Sequence, residues 1–220
     1  MKLTIVLVNY KCDKSKLQSC LSSIKINTDI LIIDHSHDFT FTGIKVPKNL
    51  NIKVIKNENL GNGAGINCGI KNSNTQYVLY LDIDTILPKN FFEILQSSIK
   101  QIPSFAVVSP KINGFYKDNY INKTGNLSFT KFFYNKFFLK INLEKQNINN
   151  IKQVFFVSGS IMLIDKTNTY NVGIKFDENI FMFFEEDDFF HQCFKANKKI
   201  YLIKDLSAVH LDGSISDKTL

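Results

Sequence analysis

The chain has 220 residues, of which 44% are hydrophobic and 21% charged. That suits one domain of generous size and excludes wholesale disorder and a fold that needs disulfides or a structural metal. The net charge of +7 comes with 27 basic residues, all lysine, and because they alternate with asparagine rather than gather in one run, the charge reads as compositional bias and singles out no nucleic-acid partner.

Leu3-Thr4-Ile5-Val6-Leu7-Val8 reads as a buried strand ending at Asn9-Tyr10. Asp13 is placed to N-cap a helix carrying Leu17, Leu21 and Ile24 at helical spacing. Three more apolar strands follow: Ile30-Leu31-Ile32-Ile33 ending at Asp34, Ile52-Lys53-Val54-Ile55, and Tyr77-Val78-Leu79-Tyr80-Leu81 ending at Asp82. Between the last two, a glycine-rich turn opens a short helix over residues 64–72, and Pro88 precedes another over 91–99. Near-continuous apolar strands alternating with helices predict an α/β, Rossmann-like fold, a largely parallel central sheet with helices on both faces.

The second half is less regular. A strand is expected at 105–108, then one strand over 154–164 broken by Ser158-Gly159-Ser160, a helix over 188–196 and a strand over 200–203. The polar stretch 142–152 is expected to be a mobile loop. Phe129, Phe132, Phe133, Phe137 and Ile141, with Lys131, Lys136 and Lys140 beside them, predict an amphipathic helix. Core packing or an acceptor-side wall is its expected role, with peripheral contact to an anionic membrane the sharper alternative.

No apolar run approaches the roughly 20 residues that span a bilayer. The start, Met1-Lys2-Leu3-Thr4-Ile5, lacks the apolar region and cleavage site of a signal peptide. Cys12, Cys20, Cys68 and Cys193 are scattered without a C-x-x-C pair, which predicts free thiols and a reducing cytoplasm.

In open α/β sheets ligands sit beyond the carboxyl ends of the strands, so polar residues there are candidates for binding. Asp82-Ile83-Asp84 is the sharpest. Residues two apart in extended chain face the same side, and two carboxylates so close repel unless a cation or proton lies between them. Hard oxygen ligands favour Mg²⁺ or Mn²⁺, which would bridge to a diphosphate. The run Asn59-Leu60-Gly61-Asn62-Gly63-Ala64-Gly65-Ile66-Asn67 suits a tight turn bringing backbone near a ligand. Position 66 is Ile where a dinucleotide fingerprint needs its third glycine, which sets a nicotinamide-dependent oxidoreductase aside. In Phe183-Phe184-Glu185-Glu186-Asp187-Asp188-Phe189-Phe190, acids flanked by aromatics are placed to have raised pKa values, as a general base requires. His210, alone at a strand end, reads by itself as structural, and His35 and His37 read as loop residues.

Taken in order along almost the whole chain, these pieces resemble the family 2 glycosyltransferases, inverting enzymes with a GT-A fold, and most closely their rhamnosyltransferase-like branch. The resemblance is carried by Thr4 to Tyr10, Ile32-Ile33-Asp34-His35-Ser36, Asn59 to Asn67 and Leu81-Asp82-Ile83-Asp84. It continues through Ser158-Gly159-Ser160-Ile161-Met162-Leu163, Phe176-Asp177-Glu178, Phe184 to Asp188 and His210.

What the resemblance implies is a single domain, with residues 1–104 binding the nucleotide sugar and 105–220 supplying acceptor contacts and the catalytic base. Asn9, Tyr10, Asp34 and Ser36 would hold the nucleotide base. Asn59, Gly61, Gly63 and Asn67 would lie near the ribose and diphosphate, with Asp82 and Ile83 beside them. Asp84 and His210, with Asp82, would bind Mn²⁺ or Mg²⁺. Glu186 would be the general base, with Glu185 beside it and Asp188 positioning the acceptor. The implied donor is a UDP- or dTDP-sugar and the implied acceptor a saccharide or lipid-linked saccharide, handled in the cytoplasm or at the inner face of the membrane.

Three features depart from the family pattern. Glu186 stands where an Asp is usual, Gln192 where Arg is common, and the chain stops soon after Ser216, where many relatives continue. A short, minimal enzyme is expected, with a non-catalytic nucleotide-sugar- or glycan-binding relative as the alternative.

Overall fold

In the computed structural model, residues 1–114 and 147–211 are described. The expected amphipathic helix over 129–141 lies outside them. The element order is β1 (Leu3–Asn9), α1 (Lys14–Ser23), β2 (Thr28–Asp34), β3 (Leu50–Lys56), α2 (Asn62–Asn72), β4 (Tyr77–Leu81), β5 (Thr85–Ile86), α3 (Phe91–Ile99), β6 (Val107–Gly114), β7 (Asn147–Ile148), β8 (Ile151–Val154), β9 (Ile161–Asp165), α4 (Glu185–Lys195) and β10 (Ile200–His210). The strands form one mixed sheet in the order β3-β2-β1-β4-β9-β6-β10-β8-β7, with β5 on β10.

The block β3-β2-β1-β4 is parallel throughout, as the apolar runs predict. Ile5, Leu7, Ile30 and Ile32 lie in one apolar layer with α1 and α3, while Val6, Ile33, Val78 and Tyr80 lie in another with Ile66 and Ile70 of α2 and Phe189 and Phe190 of α4. The helices therefore cover both faces. Asp13 caps α1, accepting the Ser15 N–H at 2.8 Å. Gly65 and Gly69 face β1, where an added Cβ would fall within 2.8 Å of Val8 and 2.3 Å of Val6. These two glycines let α2 lie close on the sheet.

The second half corrects several expectations. Residues 154–164 are not one interrupted strand. β8 pairs antiparallel with β10, whereas β9 lies antiparallel between β4 and β6; the Ser158-Gly159-Ser160 loop carries the chain between these two places in the sheet. Residues 147–152 belong to the β7–β8 hairpin with Ile151 buried, so that part of the polar stretch is not a loop. Helix α4 begins at Glu185 rather than 188, which puts all four acids in its first turn, where the helix dipole favours them. β10 runs seven residues past Ile203 and shifts register against β6 between Ile203 and Ser207. That extension carries His210 to the carboxyl ends of the parallel strands. Among the described residues, no helix is long and apolar enough to cross a membrane.

Candidate active site

Beyond β4 the chain turns through Asp82-Ile83-Asp84, and Thr85 donates its N–H back to the Asp82 carbonyl at 3.0 Å. β5 then pairs antiparallel with the end of β10, setting His210 opposite Thr85. This pairing brings residues 126 positions apart together: His210 Nε2 lies 3.0 Å from Asp84 Oδ1 and 3.2 Å from Asp82 Oδ2. One ligand atom from each of the three lies within 4.8 Å of the others. Ile83, between the acids, packs its side chain on the core instead, so a turn, rather than the extended chain expected from the sequence, sets both acids to one side. Burial opposes a charge on the His210 ring, but hydrogen bonds and charges from Asp82 and Asp84 outweigh it and push its pKa up to about 10. In its protonated form the His210 ring is a counter-charge to both acids. Two carboxylate oxygens and an imidazole nitrogen are also a donor set that suits Mn²⁺ or Mg²⁺.

The base candidate lies alongside. Asp82 donates its N–H to the Ser160 carbonyl at 2.9 Å, and the preceding Gly159 abuts Glu186, where an added Cβ would come within 3.1 Å of Oε1. The missing side chain at Gly159 therefore leaves room for the Glu186 carboxylate. Burial, then the charge of Glu185 and that of Asp187, push Glu186 up to about 7, the range in which a carboxylate serves as a base near neutrality. Asp188 accepts a 2.6 Å hydrogen bond from Gln192, which also donates to the Lys175 carbonyl. Gln192, noted for replacing an arginine, thus fixes the second acid and ties α4 to the 175 segment.

The approach to this turn is apolar and strained. Phe183 and Phe184 have φ of 62° and 70°, a region that costs a bulky residue about 1 kcal/mol or more. Phe181, Met182, Phe183 and Phe184 are all exposed, Phe184 to 72%.

Asn9, Asp34 and Ser36, expected from the sequence to hold the nucleotide base, come together at the carboxyl ends of β1 and β2. Asn9 donates to Asp34 Oδ1 at 2.7 Å, and Ser36 donates to the same oxygen from Oγ at 2.6 Å and from its N–H at 3.1 Å. The Phe39 N–H binds Asp34 Oδ2. Burial alone would raise the Asp34 carboxyl, but these hydrogen bonds outweigh it and hold it below the usual carboxylate range. Tyr10 projects beyond β1, 46% exposed, with Lys11 Nζ 5.5 Å from its ring centre.

The glycine-rich run is occupied mainly by protein. Gly61, at φ 102°, backs onto the Phe181 carbonyl, leaving no space for a Cβ, and that carbonyl accepts the Asn62 N–H at 3.1 Å. Gly63 faces Phe176 and Glu185. Asn59 is exposed, and the His35 ring is met by the Asn57 amide at 3.4 Å. Asn67 donates to the Phe176 carbonyl and to Glu178, and its oxygen accepts from Tyr170 and the Phe176 N–H. With its amide engaged on both sides, Asn67 latches the 170–178 segment instead of presenting free groups to a ligand, a role that the motif alone did not reveal. His35 is buried, and His37 contacts the Asn57 carbonyl, so the two do not form a metal pair.

Residues 4–173 match the model of Glycosyl transferase family 2. The chain belongs to that family. No curated protein matches it by sequence. Among solved structures, this family 2 chain resembles S. aureus TarS residues 1–349 in complex with UDP-GlcNAc, with a TM-score of 0.70 at 16% identity. That match covers 100% of this chain and 62% of the TarS one. The UDP complex of the same TarS fragment gives 0.64 at 15% identity, covering 96% of this chain and 61% of that one. GalNAc-T7 with UDP, GalNAc and Mn²⁺ gives 0.67 at 12% identity, covering 96% and 44%. The chain therefore spans about three-fifths of the TarS fragment, and the likeness establishes a GT-A glycosyltransferase fold.

Proposed function

We propose that this family 2 chain is an inverting, metal-dependent glycosyltransferase of the rhamnosyltransferase-like branch. In this reading it moves a sugar from a UDP- or dTDP-linked donor to a hydroxyl of a saccharide or lipid-linked saccharide. The observation that carries the reading is the meeting of Asp82, Asp84 and His210 beside a half-buried carboxylate, Glu186, pushed up to about 7. The domain works as one unit, since residues 1–104 contribute Asp82 and Asp84 while the rest contribute His210 and Glu186. TarS has been crystallised with UDP-GlcNAc and GalNAc-T7 with UDP and Mn²⁺, which supports carrying over a nucleotide-sugar donor and a divalent ion.

Asp82, Asp84 and His210 would hold that ion, and when bound it supplies positive charge for the leaving diphosphate. Tyr10, exposed above the rigid Asn9–Asp34–Ser36 cluster, offers an aromatic face for the nucleotide base. Glu186 accepts the proton of the acceptor hydroxyl as that oxygen attacks the anomeric carbon opposite the leaving nucleotide, inverting its configuration. Glu185 and Asp187 keep Glu186 basic enough by their charge, and Asp188, held by Gln192, orients the acceptor. The exposed Phe181–Phe184 wall borders the acceptor side, and its neighbouring acids favour a neutral saccharide face over an anionic one. The absence of arginine leaves phosphate contacts to lysine, as point charges. The reaction is placed at the cytoplasmic side, at the inner membrane face where the acceptor is lipid-linked.

The test is calorimetry with Mn²⁺ and UDP, dTDP or GDP, paired with a transfer assay. Metal-dependent nucleotide binding is expected, lost in Asp84→Ala and kept in Glu186→Gln. Folded protein that binds none of the three nucleotides overturns the reading.

A further inference from the structure

Two residues to which the sequence assigns no role, Tyr80 in β4 and Asn62 in the glycine-rich run, join the halves of the site. Tyr80, 1% exposed in β4, places its hydroxyl 2.6 Å from Asp82 Oδ1 and 3.0 Å from Asn62 Oδ1. Asn62, the first residue of α2, donates its amide to Glu185 Oε1 at 3.1 Å. Glu185 is 5% exposed, and its other oxygen, Oε2, has no hydrogen-bond partner among the described residues. A carboxylate only accepts, so the Asn62 amide nitrogen must face Glu185 and its oxygen must face Tyr80. The result is a chain of contacts from Asp82 through Tyr80 and Asn62 to the turn that carries Glu186.

Asp82 is divided between two tasks. Its Oδ2 faces His210, while Oδ1 meets the Tyr80 hydroxyl. The hydroxyl has one proton and two acceptors within reach, so it serves only one at a time. A full negative charge on Asp82 draws that proton strongly. When a divalent cation takes up the carboxylate's charge, that pull weakens and the proton can turn to Asn62, restraining the amide that holds Glu185.

We propose that Tyr80 and Asn62 are positioning residues that couple cation binding at Asp82 to the setting of the Glu185–Glu186 turn. The inference rests on the metal site proposed above. It makes a demand that simple structural support does not: Asn62, which touches neither Asp84 nor His210, influences cation affinity, and does so only through the Tyr80 hydroxyl.

The experiment is calorimetric titration of the acceptor-free protein with Mn²⁺ alone, in four proteins: wild type, Asn62→Ala, Tyr80→Phe and the double variant. Tyr80→Phe removes one hydroxyl and leaves the buried ring in place. Asn62→Ala is expected to weaken Mn²⁺ about fivefold when Tyr80 is present and to have no effect on affinity in the Tyr80→Phe background, a coupling of ordinary size. Asn62→Ser replaces the alanine variant should that one not fold, with the same expectation. Equal effects of the Asn62 change in both backgrounds, or none in either, overturn the coupling while leaving the metal site standing. Wild-type protein that is folded and binds no Mn²⁺ overturns the metal reading and this inference with it.

Discussion

Two polar clusters at the same end of the sheet are built on opposite principles. Around Asp34, a buried carboxylate meets Asn9, Ser36 and Phe39, and both of its oxygens are hydrogen-bonded. Around Glu186, four acids share one helical turn, a buried oxygen of Glu185 has no hydrogen-bond partner among the described residues, and Phe183 and Phe184 enter the turn with left-handed backbone. The first cluster lowers its carboxylate's pKa and the second raises that of Glu186. A satisfied cluster stabilises the fold, whereas an unsatisfied one is the kind of local conflict that persists where chemistry is done. Substitutions in the two should therefore separate stability from activity.

The largest effect is expected at the strained turn. Glu186→Gln should lower turnover by about 10³-fold, the scale of a lost general base, while urea unfolding shows stability equal to or above wild type. A large loss of stability with activity retained would reverse the roles assigned to the two regions. At the satisfied cluster, Asp34→Ala leaves the Asn9 amide and the Ser36 and Phe39 N–H groups without their acceptor and should cost about 3 kcal/mol in the same unfolding measurement.

Next in size is the pH dependence. Transfer needs Glu186 ionised, so kcat/KM should climb with pH to a midpoint of about 7, falling tenfold per unit well below it. Stability follows the opposite course. The folded state holds a proton on Glu186 up to about 7, against an ordinary value of 4.5, so it binds more protons than the unfolded chain within that window. Its contribution is greatest at low pH and is lost as pH rises from 4.5 to 7; Glu186→Gln should remove that slope. The smallest effect is expected from Phe184→Gly, which relieves the left-handed backbone and should raise stability by about 1 kcal/mol, while acceptor KM increases. Unchanged acceptor KM would remove Phe184 from the acceptor wall.

Much of this was legible before any coordinates. Strands β1, β2 and β4 announce themselves as continuous apolar runs because both faces of the sheet are covered there, and Asp13 marks the start of α1 by its capping chemistry. Asp82 and Asp84 are visible as two acids just past an apolar strand, although a turn rather than extended alternation brings them together. What the chain did not reveal are features set by distant pairing. β9 slots antiparallel into the sheet, and nothing local distinguishes its apolar run from that of a parallel strand. β10 extends to His210 across the polar Lys204 and Asp205, where its register shifts, so periodicity stops short of it. The sequence points to a later start for α4 because Phe184, in a left-handed conformation, precedes a turn of acids that reads equally as loop. Tyr80 and Asn62 lie within stretches the sequence does mark, yet nothing singles them out, since a buried tyrosine in a strand and an asparagine at a helix start are ordinary until Glu185 is placed beside them.

The central claim is that Asp82, Asp84 and His210 hold a divalent cation against a nucleoside diphosphate. Pulsed electron paramagnetic resonance of bound Mn²⁺ tests it most directly. With UDP or dTDP present, the account predicts a nitrogen coupling from His210 that disappears in His210→Gln, together with a phosphorus coupling from the nucleotide. A Mn²⁺ spectrum indistinguishable from the free aquo ion, in folded protein with either nucleotide, would contradict it.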